Sequence, residues 1–233
     1  MRLVGSLLVL LVASSLLAQQ SSPTAAAPPQ ASVRFSFDWV QGFPWQSYSI
    51  TVQSDGKSRF DGIPHADETN DTDAYQQDFT MSDANRQKVF DIAQKLHYFQ
   101  GDYDSRLKHI AQTGKKTLQY QSPQANGSTT YNWSQNPDVQ QLTNLFTGIA
   151  MTIDFGRKLA FQYRYDKLGM DQRLKEFEDL QASHGVEELQ IIAPMLRKIW
   201  HDPNLMNISR ESAHRLLLII DQPASAGPNP ATQ

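Results

Sequence analysis

The chain has no cysteine among its 233 residues. Disulfides and thiol catalysis are therefore excluded, and no cysteine is available to carry a lipid behind a cleaved leader. Stability has to come from burial alone. Positive charge is also in short supply: 21 Lys and Arg stand against 24 Asp and Glu, for a formal net charge of −3. A protein that displaces counterions from nucleic acid needs a broad positive field, so nucleic acid is not an expected partner. Local signatures of several enzyme classes are missing as well. The sequence contains no G-x-S-x-G elbow, no H-E-x-x-H, no phosphate-binding P-loop and no dinucleotide-binding glycine fingerprint. No cofactor is expected.

Long apolar runs are absent except at the N-terminus, which reads "MRLVGSLLVLLVASSLLAQQ". Arg2 precedes an apolar stretch from Leu3 to Ala18 that is shorter than the roughly 20 residues a spanning helix needs. This is the pattern of a secretory signal peptide over residues 1–18, with Ala18 as the last residue before the cut. The expectation is a periplasmic or secreted, cysteine-free protein with no stable membrane span once the leader is removed. "QQSSPTAAAPPQA" (19–31) and "QPASAGPNPATQ" (222–233) lack large apolar residues and cannot offset the entropy of ordering. They read as a disordered linker and a disordered tail.

Between them the hydrophobic pattern changes once. Residues 32–155 carry the alternation of half-buried strands: Val33, Phe35, Phe37 and Trp39 fall on one side of "VRFSFDWV", and Tyr48, Ile50 and Val52 on one side of the next segment. "SYSITVQSDGKSRFDG" reads as a hairpin. A two-residue turn at Asp55-Gly56 would set Phe60 opposite Thr51, on the polar face. A three-residue loop from Ser54 to Gly56, with Gly56 at positive φ, pairs Phe60 with Ile50 and is preferred. "AYQQDFTM" is a further strand. Ser82 then caps a helix with Val89, Ile92, Ala93 and Leu96 at helical spacing. Strands at 117–121 and 129–133 suggest a second hairpin turning at Asn126-Gly127. Asn136-Pro137 opens a helix with a stripe of Val139, Leu142, Phe146, Ile149 and Ile153. From Gly156 to Asp221 the alternation gives way to helical patterns, near 157–168, 171–183, 186–201 with a kink at Pro194, and 209–220. The fold class expected is α+β: an antiparallel sheet packed against two helices in an α+β domain, 32–155, followed by a C-terminal helical region, 156–221.

An aromatic-rich strand, then "YSITVQSDGKSRFDG", then "FTMSDANRQKVFDIAQKLHYF" resembles secreted bacterial domains of acidobacterial type and unknown function. Those domains carry a Y-x-V-T-I-x-x-D-G-x-x-x-Y-x-G hairpin followed by a helix. The segments "GKKTLQYQS", "TTYNWS", "YDKLGM" and "ELQIIAPMLRKI" extend the likeness over most of the chain from Ser32. Members often have two cysteines before the hairpin in a C-F-G-x-C-P pattern. Here "VQGFPWQSY" keeps Gly42 and Pro44 without either cysteine. The resemblance implies a bacterial, exported, mixed α and β domain and carries over no catalytic residues.

Three groups of residues are candidates for function. "HADETNDTD" gathers His65, Asp67, Glu68, Asp71 and Asp73, oxygen-rich enough for a hard cation but without the glycine and distal glutamate of an EF-hand; a solvated loop is the plainer reading. His97 and His109 flank a segment containing Asp102 and Asp104, a conceivable acid–base set. Trp39, Phe43 and Trp45 crowd together and cannot all face one side of a sheet, so they would either cover the end of the core or offer a binding surface. The leading expectation is a non-enzymatic binding or interaction module of the cell envelope, with an envelope protein or another extracytoplasmic ligand as partner. The alternative is a hydrolase or metal-dependent enzyme using the acidic loop 65–73 or the His97–His109 region.

Overall fold

The computed structural model describes residues 30–38, 42–67, 69, 72–107 and 111–222. The expected leader, nearly all of the linker and tail, and the candidates Trp39, Glu68, Asp71 and His109 lie outside the described residues.

Six strands form one antiparallel sheet: β1 (Ser32–Asp38), β2 (Trp45–Gln53), β3 (Lys57–Pro64), β4 (Tyr75–Thr80), β5 (Lys115–Gln121) and β6 (Asn126–Tyr131), in the order β4-β3-β2-β1-β5-β6. The first four make a meander running outward from β1. Helix α1 (Asp83–Lys95) then carries the chain back to the free side of β1, where the β5–β6 hairpin completes the sheet. Alternation decides which face meets the core: Val33, Phe35 and Phe37 are buried, whereas Arg34 and Asp38 are exposed. Ile50 pairs with Phe60 in β2–β3, Gly56 has φ +90°, and its N–H donates to the Gln53 carbonyl at 2.9 Å. This is the three-residue loop expected from the sequence.

The second hairpin differs from expectation. Asn126 and Gly127 are not its turn; they are strand residues opposite Gln121 and Tyr120. The chain turns earlier, over Ser122–Ala125, where Pro123 presets the bend and the Ser122 hydroxyl accepts the N–H of Gln124 and Ala125 at 3.3 and 3.0 Å. Gly127 answers a different need, since a Cβ there would collide with the Tyr98 carbonyl. That carbonyl belongs to a short left-handed turn, His97–Phe99, packed along β6.

The sheet's apolar face is covered by α1 and by α2 (Pro137–Tyr165), the first capped by Ser82 and the second by Asn136. Phe35 stacks on Phe146 at 5.1 Å, and Ile50, Phe60, Ile149 and Ile153 complete a fully buried layer. Beyond it, α3 (Met170–Ala182), α4 (Ala193–His201) and α5 (Asn207–Ile220) enclose a second core around Phe155, Leu159, Phe177, Leu196 and Leu216. One helix serves both cores. The sequence places a break at Gly156, but α2 runs through it without interruption because the position packs closely against Ile192 of the helical region. Pro194 likewise does not kink a helix; it stands in the first turn of α4, where its missing N–H costs nothing.

A buried carboxylate ties the regions together. Glu188, 4% exposed and left-handed at φ 55°, accepts the Ser82 N–H at 2.8 Å, the Ser82 hydroxyl at 2.7 Å and the Asn85 amide at 2.7 Å. It supplies negative charge to the N-terminus of α1 from a distant part of the chain. Among the described residues no helix is long and apolar enough to cross a membrane.

Candidate functional site

The buried stripe of α2 steps from Ile149 to Ile153 and then, at the next helical interval, reaches Arg157. Its side chain is 5% exposed. A guanidinium taken out of water must be paired and hydrogen-bonded. The structure provides this from two directions. Asp154, one turn earlier on α2, meets Arg157 Nη2 at 2.9 Å, and Asp67, on the loop leaving β3, pairs with the same nitrogen. Thr69 accepts from Arg157 Nη1 at 2.7 Å and donates its hydroxyl to Asp67 at 2.6 Å. Lys158 closes the cluster at 3.1 Å from Asp154 and 3.7 Å from Asp67. The guanidinium carbon lies 5.8 Å from the ring of Trp45, a cation–π contact.

Two positive and two negative groups thus hold the loop after β3 against the middle of α2. Burial alone would raise the carboxyl pKa of Asp67, but hydrogen bonds from Arg157 and Thr69 outweigh it and hold the value near about 2. Arg157 is treated reciprocally: burial disfavours its charge, and the bonds to Asp67 and Asp154 more than restore it, raising its pKa.

This geometry sorts the candidates read from the sequence. Asp67 faces inward and its oxygens are occupied by Arg157, Lys158 and Thr69, so it is part of an ion cluster and not of a cation cage. His65 is half-buried with Nε2 enclosed, and Asp73 is exposed. Among the described residues no group of three or more His, Asp or Glu is placed to hold a metal ion. Of the two readings left open for the aromatic group, Trp45 takes the core one and offers no binding surface: it is 0% exposed and its indole N–H donates to the Ala150 carbonyl at 3.1 Å. Phe43 is half-buried against Phe37 and Tyr48. His97 is exposed, Asp102 pairs with Arg106, and Asp104 accepts the Asn132 N–H at 3.1 Å. Asp104 thus ties the segment to the chain just past β6, while Asp102 is engaged within the segment itself.

A crevice opens on each side of the Arg157 cluster. One, of about 420 Å³, is bounded by Phe43, His65, Asp67, Met151, Asp154 and Lys158. The other, of about 480 Å³, lies between the start of β4 and the last two turns of α2, and is lined by Tyr75, Arg157, Ala160, Phe161, Arg164 and Tyr165. Its character is aromatic and cationic. The Phe161 and Tyr165 rings sit 4.9 Å apart, and Tyr165 is 71% exposed. Tyr75 forms the opposite wall, and its hydroxyl bonds to Gln77 at 3.1 Å.

Arg157, Asp154, Phe161, Arg164 and Tyr165 were not among the residues singled out from the sequence. The signal for the first two was present: in "TIDFGRKLAF" charges fall on a helical stripe that is otherwise apolar. One wall of the crevice is a local helical stripe, Arg157, Phe161, Arg164 and Tyr165, but the opposite wall comes from Thr69 and Tyr75, far away in the chain, and nothing local predicts that meeting. A comparison with protein-family models finds no match, and neither does a comparison with curated proteins.

Proposed function

We propose that the chain is an exported bacterial, non-enzymatic binding module whose ligand site is the aromatic and arginine-lined crevice between β4 and the end of α2. The observation that carries this reading is the pair of rings, half-buried Phe161 and exposed Tyr165, beside Arg164 and facing Tyr75. Ligand pockets combine apolar walls with a few polar groups that fix orientation, and rigid aromatics give contact area at low entropic cost. Arg157 is already occupied by carboxylates, so it shapes the floor while Arg164 at the rim is placed to meet an anion. The ligand class that fits is a small molecule or peptide end with a flat apolar body and an acidic group. The secretory leader read from the sequence supports an extracytoplasmic location.

Anilinonaphthalene sulfonate, a flat apolar anion, serves as the probe. It should bind the folded chain with enhanced fluorescence, and the Phe161→Ala, Tyr165→Ala double variant and Arg164→Ala should each weaken binding by about tenfold, the loss of one good contact, with unchanged circular dichroism. Equal binding by wild type and variants would remove the crevice from consideration.

A further inference from the structure

Exposed large apolar side chains are scattered in the sheet half, at Ile63, Leu107 and Trp133, whereas the helical region leaves several around its turns. Tyr165 (71%), Leu168 (77%), Met206 (39%) and Ile208 (56%) are exposed, the first two around the α2–α3 turn and the others around the α4–α5 connection. The two connections lie at one end of the bundle, because side chains bind them together. Tyr163, near the end of α2, donates its hydroxyl to Asp202, just after α4, at 2.8 Å, and Lys167 reaches the same carboxylate at 3.4 Å.

Cations collect between these apolar projections. Lys198 Nζ stands 4.4 Å and Lys167 Nζ 5.1 Å from the centre of the Tyr163 ring. Together with Arg197, His201, Asp202 and Asn204 they line an open concavity of about 660 Å³. At this end Arg164, Lys167, Arg197 and Lys198 stand against Asp166, Asp202 and Asp221, a surplus of one positive charge on a chain whose net charge is −3. Asp221 takes a share of Arg197 at 3.4 Å. Asp202 itself is held well below the ordinary carboxylate range, near about 2, by bonds from Asn204 and Tyr163, so it stays charged and keeps the two connections joined.

We propose that this end of the helical bundle docks on an anionic membrane surface, with Lys167, Lys198 and Arg197 at the headgroup phosphates and Leu168 and Ile208 entering the interface. Stable peripheral attachment needs two signals, and this end of the bundle carries both cationic side chains and the exposed Leu168, Met206 and Ile208. Lys167 and Lys198 are both exposed, with their ammonium groups held over one tyrosine ring. A soluble protein partner would also cover apolar surface, but the grouping of Lys167, Arg197 and Lys198 in one concavity favours an anionic surface.

This inference goes beyond the crevice reading and is tested apart from it. The full chain is sedimented with vesicles of equimolar phosphatidylglycerol and phosphatidylcholine, and with phosphatidylcholine alone. Binding should be about tenfold tighter to the anionic vesicles and fall with added salt. Leu168→Ser with Ile208→Ser, and separately Lys167→Glu with Lys198→Glu, should each erase that difference while circular dichroism and probe binding in the crevice stay as in wild type. Since every variant shares the same N-terminal apolar run, the difference reports this end of the bundle. Equal binding to both vesicles, or variants that sediment like wild type, would overturn the proposal. So would calorimetric binding of free glycerol phosphate without vesicle binding, which would reassign the patch to a soluble phosphate, or a concentration-dependent dimer lost in Leu168→Ser without vesicle binding, which would reassign it to a second copy of the chain.

Discussion

Two arginines in this molecule have the same chemical company and opposite surroundings. Arg157 sits at the junction of sheet and helices with Asp67 and Asp154, its side chain 5% exposed. Arg59 lies on the outer face of the sheet with Asp61 at 3.1 Å and Asp78 at 3.3 Å, and its side chain is 46% exposed. The outer pair keeps its water, so little solvation is lost and little is gained. The inner one has surrendered water on every side, and each of its partners depends on the others for compensation. A list of contacts would rank the two alike. Burial separates a strut from a surface decoration: the Arg157 cluster pins a loop against a helix, whereas the Arg59 cluster lines an open concavity of about 620 Å³ on the outer face of the sheet and stays in water.

The comparison is broken most directly at Arg157. Arg157→Ala leaves two carboxylates stranded in a place built for a cation, and urea unfolding should show a loss of about 3–5 kcal/mol, the usual cost of orphaning a buried charge. A loss no larger than that at an exposed pair would mean that burial makes no difference here. Next in size is Glu188, another buried charged group that joins distant segments. Glu188→Ala removes the acceptor for Ser82 and Asn85 and should cost about 1–3 kcal/mol, the range for leaving buried donors unsatisfied. Its further signature is a loss of cooperativity. For tryptophan fluorescence, Trp45 lies in the first core and Trp133 at the sheet, while circular dichroism is dominated by the helices; in the variant the two measurements should no longer coincide.

The two halves of the chain were not equally legible, and the reason is physical. In the sheet half the side-chain period is two, so a register error of one residue throws Phe60 onto the polar face, and the hairpin loop could be chosen on that ground alone. The caps at Ser82 and Asn136 are equally local. Asn126-Gly127 misled because the same dipeptide that favours a turn also serves where another backbone presses close, and the pressing carbonyl of Tyr98 is invisible in sequence. Gly156 misled for a related reason: a composition shift resembles a boundary, whereas α2 belongs to both cores. Trp45 illustrates the limit for sites. Three crowded aromatics cannot tell which of them is covered by a helix a hundred residues later, and Asp67 gives no local sign of the arginine waiting on that helix.

Acid sharpens the contrast between the networks without mutating either. The Asp67 carboxyl is shifted from an ordinary 3.8 to about 2 in the folded chain. Between those values the unfolded chain binds the proton more readily than the folded one, so stability rises with pH across the window. Lowering the pH from about 4 to 2 should therefore remove the contribution of Asp67, fully present above the unfolded value. Urea midpoints measured across that range should fall more steeply for wild type than for Asp67→Asn, which has already lost it. Parallel curves would show that the loop carboxylate gains nothing from its place in the cluster.

The smallest effect is expected at Arg59, and its smallness is what completes the comparison. Arg59→Ala deletes an ion pair to Asp61, another to Asp78 and a hydrogen bond to Gln76 at 2.6 Å. By count this is as much as Arg157 makes with its two carboxylates and Thr69. On an exposed strand, however, water replaces each lost partner, and the freed aspartates keep their solvation. The cost should stay below about 1 kcal/mol and shrink further in salt, which already screens the pair. The carboxylates left behind are near neighbours on β3 and β4, so a small part of that cost is their mutual repulsion, recoverable in the Arg59→Ala, Asp78→Asn double variant. A loss comparable to Arg157→Ala would show that the outer face of the sheet is a tightly organised surface, and the search for a binding site would have to move there.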